Sequence, residues 1–367
     1  AAAYVMPVIR VGLRTDLAGH LKFAESVALS GREFGPNSLF QQLAIIVRAL
    51  IPFGFLGGID ERWGERAVTW NVAGVLVVLG FVVWLAQVVF DRLRPALAGV
   101  RPAVADRAAF GATVAVVLVG PLTFLTWNAQ QLVSGYLSIT MFDSPTNIMA
   151  KPLALVLYLI LVRDPGAHGD RRSILIAAAI TVTGLHNKPS YAICLLPALA
   201  ACEIWARVRG RRFGGRLMLL GCVIPTLASL AYSVGSYALY SGEETGAGVT
   251  WAPGRIIAQT MDGHTQASWF FLVLLAMSVA FPLVVTALAS PVRRAELGLA
   301  WLVFAIALAQ YSLFTTSGRR DFGDLAWGAQ ISLFILYVEC VRILLGWLNR
   351  PPVEADPGAT RSLRFTA

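Results

Sequence analysis

The feature that most constrains this chain is a series of apolar runs, several of which are long enough to form membrane-crossing helices. A helix needs about 20 residues to cross about 30 Å of hydrocarbon. None of the runs alternates apolar and polar residues as a barrel strand does. The sequence therefore predicts an all-α, polytopic membrane protein with about nine complete spans. The predicted spans are 68–90, 108–127, 145–163, 173–187, 189–206, 217–240, 267–290, 298–316 and 325–347.

Composition supports this class. Hydrophobic residues make up 57% of the 367 residues, charged residues make up 14%, and the mean hydropathy is +0.67. One soluble core could not hide this much apolar surface. The four cysteines lie in or beside apolar runs without the spacing of metal ligands, so we interpret them as packing residues.

The two ends of the chain are interpreted separately from the spans. The opening AAAYVMPVI is apolar but shorter than a span. We interpret it as the end of a first transmembrane helix whose beginning is missing, and a processed secretory start is the alternative. Residues 1–350 are predicted to form one transmembrane domain, followed by a short disordered cytoplasmic tail at 351–367.

Arginine-rich connections predict the orientation, because cytoplasmic loops are enriched in basic residues. The arginines cluster in alternate connections, which places residues 9–66, 128–144, 241–266 and 317–324 on the external side. The net charge of +9 comes mostly from these arginines, so it does not require a nucleic-acid partner. The arginines in question are Arg92, Arg94, Arg101, Arg107, Arg163, Arg171, Arg172, Arg207, Arg209, Arg211, Arg212, Arg216, Arg293 and Arg294.

The first external loop, 9–66, is too long for a plain connection. Two apolar stripes with helical spacing, separated by GREFGPNS, predict two short helices that lie at the membrane surface. A full span at 39–57 is the alternative. We reject it because Gln41, Arg48 and Pro52 suit lipid poorly, and because it would invert every later loop.

Architecture and several phrases together resemble a known superfamily. The chain resembles the GT-C glycosyltransferases in three features. Its first helix ends in an external Asp, its first external loop is long and carries juxtamembrane helices, and about ten further spans, or fewer, follow. The phrases DSPTNIMAKPL (143–153), HNKPSYAICLLP (186–197) and GRRDFGDLAWGAQ (318–330) look like those of bacterial polytopic proteins grouped with this superfamily. The resemblance implies transfer of a sugar from a polyprenyl phosphate to an external glycan, lipid or protein. It also implies a bacterial plasma membrane as the location.

Asp16 follows the first apolar segment and is the proposed catalytic base. A sugar on a polyprenyl phosphate already has a good leaving group, so the enzyme needs a base for the acceptor hydroxyl and no acid. Attack from the face opposite the phosphate would invert the anomeric carbon. The alternative is that Asp16 only caps the helix that starts near Leu17.

Three lysines, Lys22, Lys151 and Lys188, fall on the predicted external side or at its boundary, whereas nearly all other basic residues are arginines. Lys188 lies in LHNKPS, in a connection too short to reach far into water, so it is the first candidate to bind the leaving phosphate. Lys22, His186 and Asn187 are supporting candidates. Snorkelling of Lys188 to lipid headgroups is the alternative.

Arg319 and Arg320 form a second cationic group on the same side. Two guanidinium groups suit a phosphate, and we expect one of them to contact the donor. The sequence leaves open which one. Asp321 and Asp324 allow the alternative that all four residues form a surface salt-bridge group.

Asp143, in FDSPTN, is the second acidic candidate for assisting the base, orienting the acceptor or holding a cation. A turn or a helix cap is the alternative, since Asp, Ser, Pro and Asn are common in loops. His20 lies four residues after Asp16 and is a supporting candidate. With His186 these residues suggest a divalent cation site, but no HExxH or comparable motif supports it, so the need for metal stays open.

Other classes remain in competition. The chain has no GxGxxG between strand and helix and no GxxxxGK[ST], so a nucleotide-sugar donor is unsupported. A lipid or oligosaccharide flippase would also have many spans, but it should show repeated halves. A polymerase or ligase of the O-antigen type uses related lipid-linked donors. The sequence does not indicate the sugar, the acceptor or the oligomeric state.

Overall fold

The computed structural model describes residues 16–30, 38–51, 65–118, 144–163, 170–210, 215–240, 249–255, 268–316 and 326–349. These residues are mostly helical. The helices are α1 Asp16–Ser30, α2 Leu39–Leu50, α3 Glu65–Leu93, α4 Pro102–Leu118, α5 Pro145–Arg163, α6 Arg171–Asn187, α7 Ser190–Val208, α8 Gly215–Met218, α9 Ile224–Tyr240, α10 Ser268–Leu288, α11 Pro291–Leu313 and α12 Ala326–Leu348. A 3₁₀ turn, Arg94–Leu97, follows α3, and a π-helical turn, Leu219–Val223, joins α8 to α9. The strands are β1 Val249–Trp251 and β2 Phe314–Thr316.

Five helical segments of the described chain are long and apolar enough to cross a membrane. They are Thr69–Leu97, Pro145–Arg163, Ser190–Val208, Gly215–Ser233 and Ala326–Leu348. Many large apolar side chains on these and neighbouring helices are exposed, for example Ile204 and Leu227. Monomeric soluble proteins rarely expose such extended apolar surface, so these faces suit contact with lipid.

The helices of the first loop lie where the sequence predicts them. α1 begins at Asp16 and ends at Ser30, and α2 ends at Leu50, which makes it too short to cross a membrane as the 39–57 alternative required. The leading segment 1–15 and the tail 351–367 lie outside the described residues.

One predicted span is too long at its end. The helix predicted at 298–316 ends at Leu313, because Phe314–Thr316 forms strand β2 and pairs antiparallel with β1. β-Branched and aromatic residues favour this pairing, and the rings of Trp251 and Phe314 meet edge to face at 5.3 Å. α4 begins at Pro102, earlier than the predicted 108, since proline suits the first helical turn.

Helix α12 is the centre of the bundle. It contacts α3, α5, α7, α10 and α11, and most of its side chains from Gly328 to Cys340 are buried. α7 approaches most closely at Gly328, where an added Cβ would lie 2.6 Å from Cys194 Sγ and 3.0 Å from the Ser190 carbonyl oxygen. Cys194, Cys222 and Cys340 are buried free thiols in this core, as expected for packing residues.

A buried ion cluster ties α12 to α3 near their C-terminal ends. Glu339 is fully buried and accepts two hydrogen bonds from Arg92, at 2.8 and 2.9 Å, and one from Arg342 at 2.8 Å. Three charge-assisted hydrogen bonds compensate the cost of removing the carboxylate from water. We call this end of the bundle, which also holds Arg163 and Arg171, the arginine end.

Replacing Gly328 with alanine tests the close approach of α12 and α7. The methyl group would overlap Cys194 Sγ and crowd the Ser190 carbonyl, so we expect Gly328→Ala to lower the free energy of unfolding by about 1–3 kcal/mol. Gly80→Ala is the matched control, because its Cβ would enter open space and should stabilise α3 by up to about 1 kcal/mol. Thermal unfolding in detergent measures both variants. Equal free energies of unfolding for Gly328→Ala and Gly80→Ala would contradict the close approach, because they would show that α7 and α12 can move apart at Gly328 without loss of stability.

Candidate functional site

The connection between α6 and α7 brings Lys188 to the other end of the bundle, opposite the arginine end. Asp170 caps the start of α6 by accepting a hydrogen bond from the Ser173 amide at 2.9 Å, and hydrogen bonds from Ser173 lower the pKa of Asp170. α6 ends at Asn187 because the next residue precedes Pro189, which disfavours helical backbone there. Lys188 is accordingly extended, with φ −159° and ψ 111°.

Thr146, in the first turn of α5, is the meeting point of the polar groups at this end. Its backbone oxygen accepts a hydrogen bond from Asn187 Nδ2 at 2.7 Å, and its hydroxyl accepts one from Lys188 Nζ at 3.4 Å. The ammonium of Lys188 also lies 3.7 Å from the centre of the Trp327 ring. This cation–π contact holds the ammonium between α5 and α12.

A row of polar contacts continues from Lys188 along α12, and we call it the α12 polar row. Trp327, Gln330 and Phe334 share one face of α12, since they are three and seven residues apart. Gln330 Oε1 accepts a hydrogen bond from Asn147 Nδ2 at 3.1 Å, and Lys151 Nζ lies 5.5 Å from the Phe334 ring centre. Both α5 side chains are buried, Lys151 to 4% exposure. The row therefore combines Lys188, Asn147 and Lys151 in successive layers.

Lys188 also lies at one end of an apolar groove, which we call the α5–α6 groove. The lining residues of α5 are spaced as one helical face, and those of α6 likewise. From Ala150 to Leu157 this face is about 10 Å long. The groove is lined by Ala150, Leu153, Ala154, Leu157, Ile180, Thr181, Gly184, Lys188, Tyr191 and Ala192. Lys188 is thus one of the residues that line the apolar α5–α6 groove.

Of the predicted supporting residues near Lys188, Asn187 joins the cluster and His186 does not. Adjacent helical residues point about 100° apart, so the two side chains face different helices. Asn187 reaches Thr146 of α5, whereas the His186 ring meets the Tyr232 ring of α9 edge to face at 6.0 Å. The described contacts thus place Asn187 at Thr146 and the His186 ring at α9.

The candidates on α1 lie beside the same end of the bundle. Leu17 and Leu21 pack over Gly74 of α3, and Leu17 belongs to the same apolar cluster as Met149, two residues after Asn147. Asp16, whose side chain lies outside the described part, begins α1 directly before Leu17. The start of α1 thus packs on α3 and shares an apolar cluster with α5.

His20 and Lys22 have separate surroundings on α1. His20 Nδ1 is 2.7 Å from Gln41 Nε2 of α2, and its ring meets Phe40 edge to face. Lys22 is exposed. These contacts give His20 a role in holding α1 to α2 and leave Lys22 at the surface.

Three predicted site residues, Asp143, Arg319 and Arg320, lie outside the described residues. Within the described ranges, no three His, Cys, Asp or Glu side chains are grouped as metal ligands. His20 and His186 contact different helices, α2 and α9, so the described residues do not bring them together as ligands.

Sequence reasoning gave no role to Thr146, Asn147 and Gln330 and only noted Lys151. The available signal was a lysine and an asparagine four residues apart at the start of an apolar run, which places them on one helical face. An ionisable residue inside such a run is a functional candidate by default. Gln330 gave no local signal, because its partner is 183 residues away.

Comparisons with family models, with characterised proteins and with solved structures find no match to this chain. The functional argument therefore rests on the residues of the site.

Replacing Gln330 tests the α12 polar row. We expect Gln330→Leu to lower the free energy of unfolding by about 1–3 kcal/mol, because it leaves the buried Asn147 Nδ2 without its acceptor. The double variant Asn147→Leu/Gln330→Leu should recover most of this loss, since both polar partners are gone. Gln87→Leu, at an exposed hydrogen bond to Asp91, is the control and should change stability by less than about 0.5 kcal/mol. Denaturant unfolding in detergent distinguishes these outcomes, and an unchanged single variant would contradict the pairing.

Proposed function

We propose that this chain is a membrane glycosyltransferase of the GT-C type. It moves a sugar from a polyprenyl-phosphate donor to an acceptor glycan, lipid or protein on the external side of a bacterial plasma membrane. One observation carries the proposal: Lys188 lines the apolar α5–α6 groove, and its ammonium lies beside the Thr146 hydroxyl and the Trp327 ring. The ligand that complements such a site has an anionic head and an apolar tail, as a lipid phosphate has.

Lys188 is suited to hold the phosphate because its ammonium is held in a fixed position. The Thr146 hydroxyl accepts its hydrogen bond, and the Trp327 ring lies 3.7 Å from it. A cation that is already oriented stabilises negative charge as it develops on a leaving group. In this proposal Lys188 receives the phosphate, and one of Arg319 and Arg320, in the segment that leads into α12, adds a second cationic contact.

Asp16 is the base in the proposed reaction. The acceptor oxygen attacks the anomeric carbon and gives its proton to the Asp16 carboxylate, while the bond from that carbon to the phosphate oxygen breaks. The bonding electron pair leaves with the phosphate, and the configuration inverts. The support for this role is that Leu17, the residue after Asp16, belongs to the same apolar cluster as Met149 of α5.

Asp143 assists in the same proposal. It directly precedes Ser144 in the sequence, and the Ser144 hydroxyl lies 3.4 Å from the Thr146 hydroxyl. A second carboxylate there suits orientation of the acceptor. A divalent cation remains possible at this site, and addition of a chelator to the assay measures whether the enzyme depends on one.

A transfer assay with purified protein in lipid vesicles tests the function. We expect a labelled sugar to pass from a polyprenyl phosphate to an acceptor, with Asp16→Asn abolishing transfer and Lys188→Met lowering the rate by about 100- to 1,000-fold. Arg107→Met, an exposed arginine of α4, is the control and should keep full activity. Movement of intact donor across the vesicle membrane without transfer would identify a flippase. Use of oligosaccharide donors alone would identify a polymerase or ligase.

Filling the α5–α6 groove tests the lipid part of the ligand. A Cβ on Gly184 meets open space, so Gly184→Leu should place its side chain in the groove and weaken binding of farnesyl phosphate by about 10-fold or more. Gly111→Leu, at another open glycine position in α4, should leave binding unchanged. Equilibrium binding of radiolabelled farnesyl phosphate gives both numbers. Equal affinities of the two variants would exclude the groove as the lipid site.

A further inference from the structure

Two amide oxygens beside Lys188 are buried without a hydrogen-bond partner among the described residues. They are Asn147 Oδ1 and Asn187 Oδ1, in side chains that are 0% and 2% exposed. Buried side-chain acceptors are usually paired, so each unpaired one needs an explanation. A ligand that supplies hydrogen-bond donors is one explanation.

The surrounding contacts fix the direction of the Asn187 oxygen. Asn187 Nδ2 donates a hydrogen bond to the Thr146 backbone oxygen at 2.7 Å. If the amide were rotated by 180°, Asn187 Oδ1 would face that oxygen, and two acceptors would meet without a hydrogen between them. Asn147 donates through Nδ2 to Gln330 Oε1, which leaves its own oxygen without a partner. Both asparagines therefore donate hydrogen bonds to the protein through Nδ2, and both Oδ1 atoms are left as acceptors.

Thr146 links these oxygens to Lys188. Its backbone oxygen holds Asn187, its hydroxyl accepts from Lys188, and Asn147 is the next residue of α5. Two acceptors and one ammonium thus surround a single helical turn. The ammonium disfavours a bound metal cation there, since like charges repel. It favours a ligand that has both O–H donors and an anionic group.

We propose that Asn147 and Asn187 form a sugar-recognition subsite, in which their amide oxygens accept hydrogen bonds from two hydroxyl groups of the donor sugar. This inference rests on the proposed function, because Lys188 then holds the phosphate attached to the same sugar. A site with buried acceptors rejects a sugar that lacks the matching hydroxyl, since the acceptor stays unpaired in the complex. The subsite therefore selects among lipid-phosphate sugars by their hydroxyl groups.

Probes that differ by one hydroxyl test the subsite on the wild-type protein. The probes are farnesyl phosphate and its glucosyl, mannosyl, galactosyl and arabinosyl derivatives. The 2-deoxy and 3-deoxy forms of each of these four sugars complete the set. We expect at least one sugar-bearing probe to bind about 10-fold more tightly than farnesyl phosphate. Removal of the recognised hydroxyl should cancel this gain.

Variants of the two asparagines complete the test. Asn147→Ala and Asn187→Ala should each lower affinity for the preferred probe by about 10-fold and change farnesyl phosphate binding by less than about twofold. In the variant that lacks the asparagine which recognises a given hydroxyl, the probe without that hydroxyl and the probe with it should bind equally. Asn349→Ala, which removes an amide-to-carbonyl hydrogen bond to Ala96 at the arginine end, is the control and should keep the sugar preference.

The outcomes separate the subsite from the proposed function. Binding of farnesyl phosphate that depends on Lys188, without preference among sugars, would overturn the subsite and keep the lipid-phosphate site. An equal loss of all probes in the asparagine variants would show a structural role, such as holding a buried water, and would also overturn the subsite. Failure of every probe to bind the folded wild-type protein would overturn both.

Discussion

The structure depends on one constraint: α12 carries polar groups through the centre of an apolar bundle, and each needs a partner. A buried polar group without a hydrogen bond costs about 1–3 kcal/mol, so the partners fix which helices surround α12. Gln330 pairs with Asn147 of α5, and Glu339 pairs with Arg92 of α3. Gly328 allows α7 to approach. Three neighbours of α12 are thus specified by three positions along one helix.

The two ends of the bundle differ in how completely the polar groups around α12 are paired. At the arginine end, both carboxylate oxygens of Glu339 accept hydrogen bonds from arginines. At the Lys188 end, two buried amide oxygens, one from Asn147 of α5 and one from Asn187 of α6, have no partner among the described residues. This contrast favours the Lys188 end as the place where a ligand binds.

The helices were predictable from sequence because apolar runs of membrane-crossing length leave few alternatives, and α5 and α12 begin within one residue of prediction. The end of α11 could not be predicted from local sequence, because β2 depends on pairing with β1, more than 60 residues away. Lys188 was singled out because LHNKPS is a short connection between two apolar runs, where an ionisable residue is a functional candidate. Asn147 was noted only as preceding an apolar run, since its partner Gln330 is 183 residues away. Local patterns thus predicted the elements, whereas the polar contacts depend on how the helices pack.

Lys188 belongs to both halves of the proposed site, which bears on how a donor would enter it. The residue lines the α5–α6 groove, and its ammonium donates a hydrogen bond to Thr146 of the polar cluster, so one residue joins the apolar groove to the polar cluster. A ligand held by both parts must be apolar on one side of its charge and polar on the other. A free sugar phosphate would leave the groove empty, and a simple phospholipid phosphate would leave the amide oxygens unpaired. Within the proposed function, a lipid-phosphate sugar is the ligand class that matches all three features.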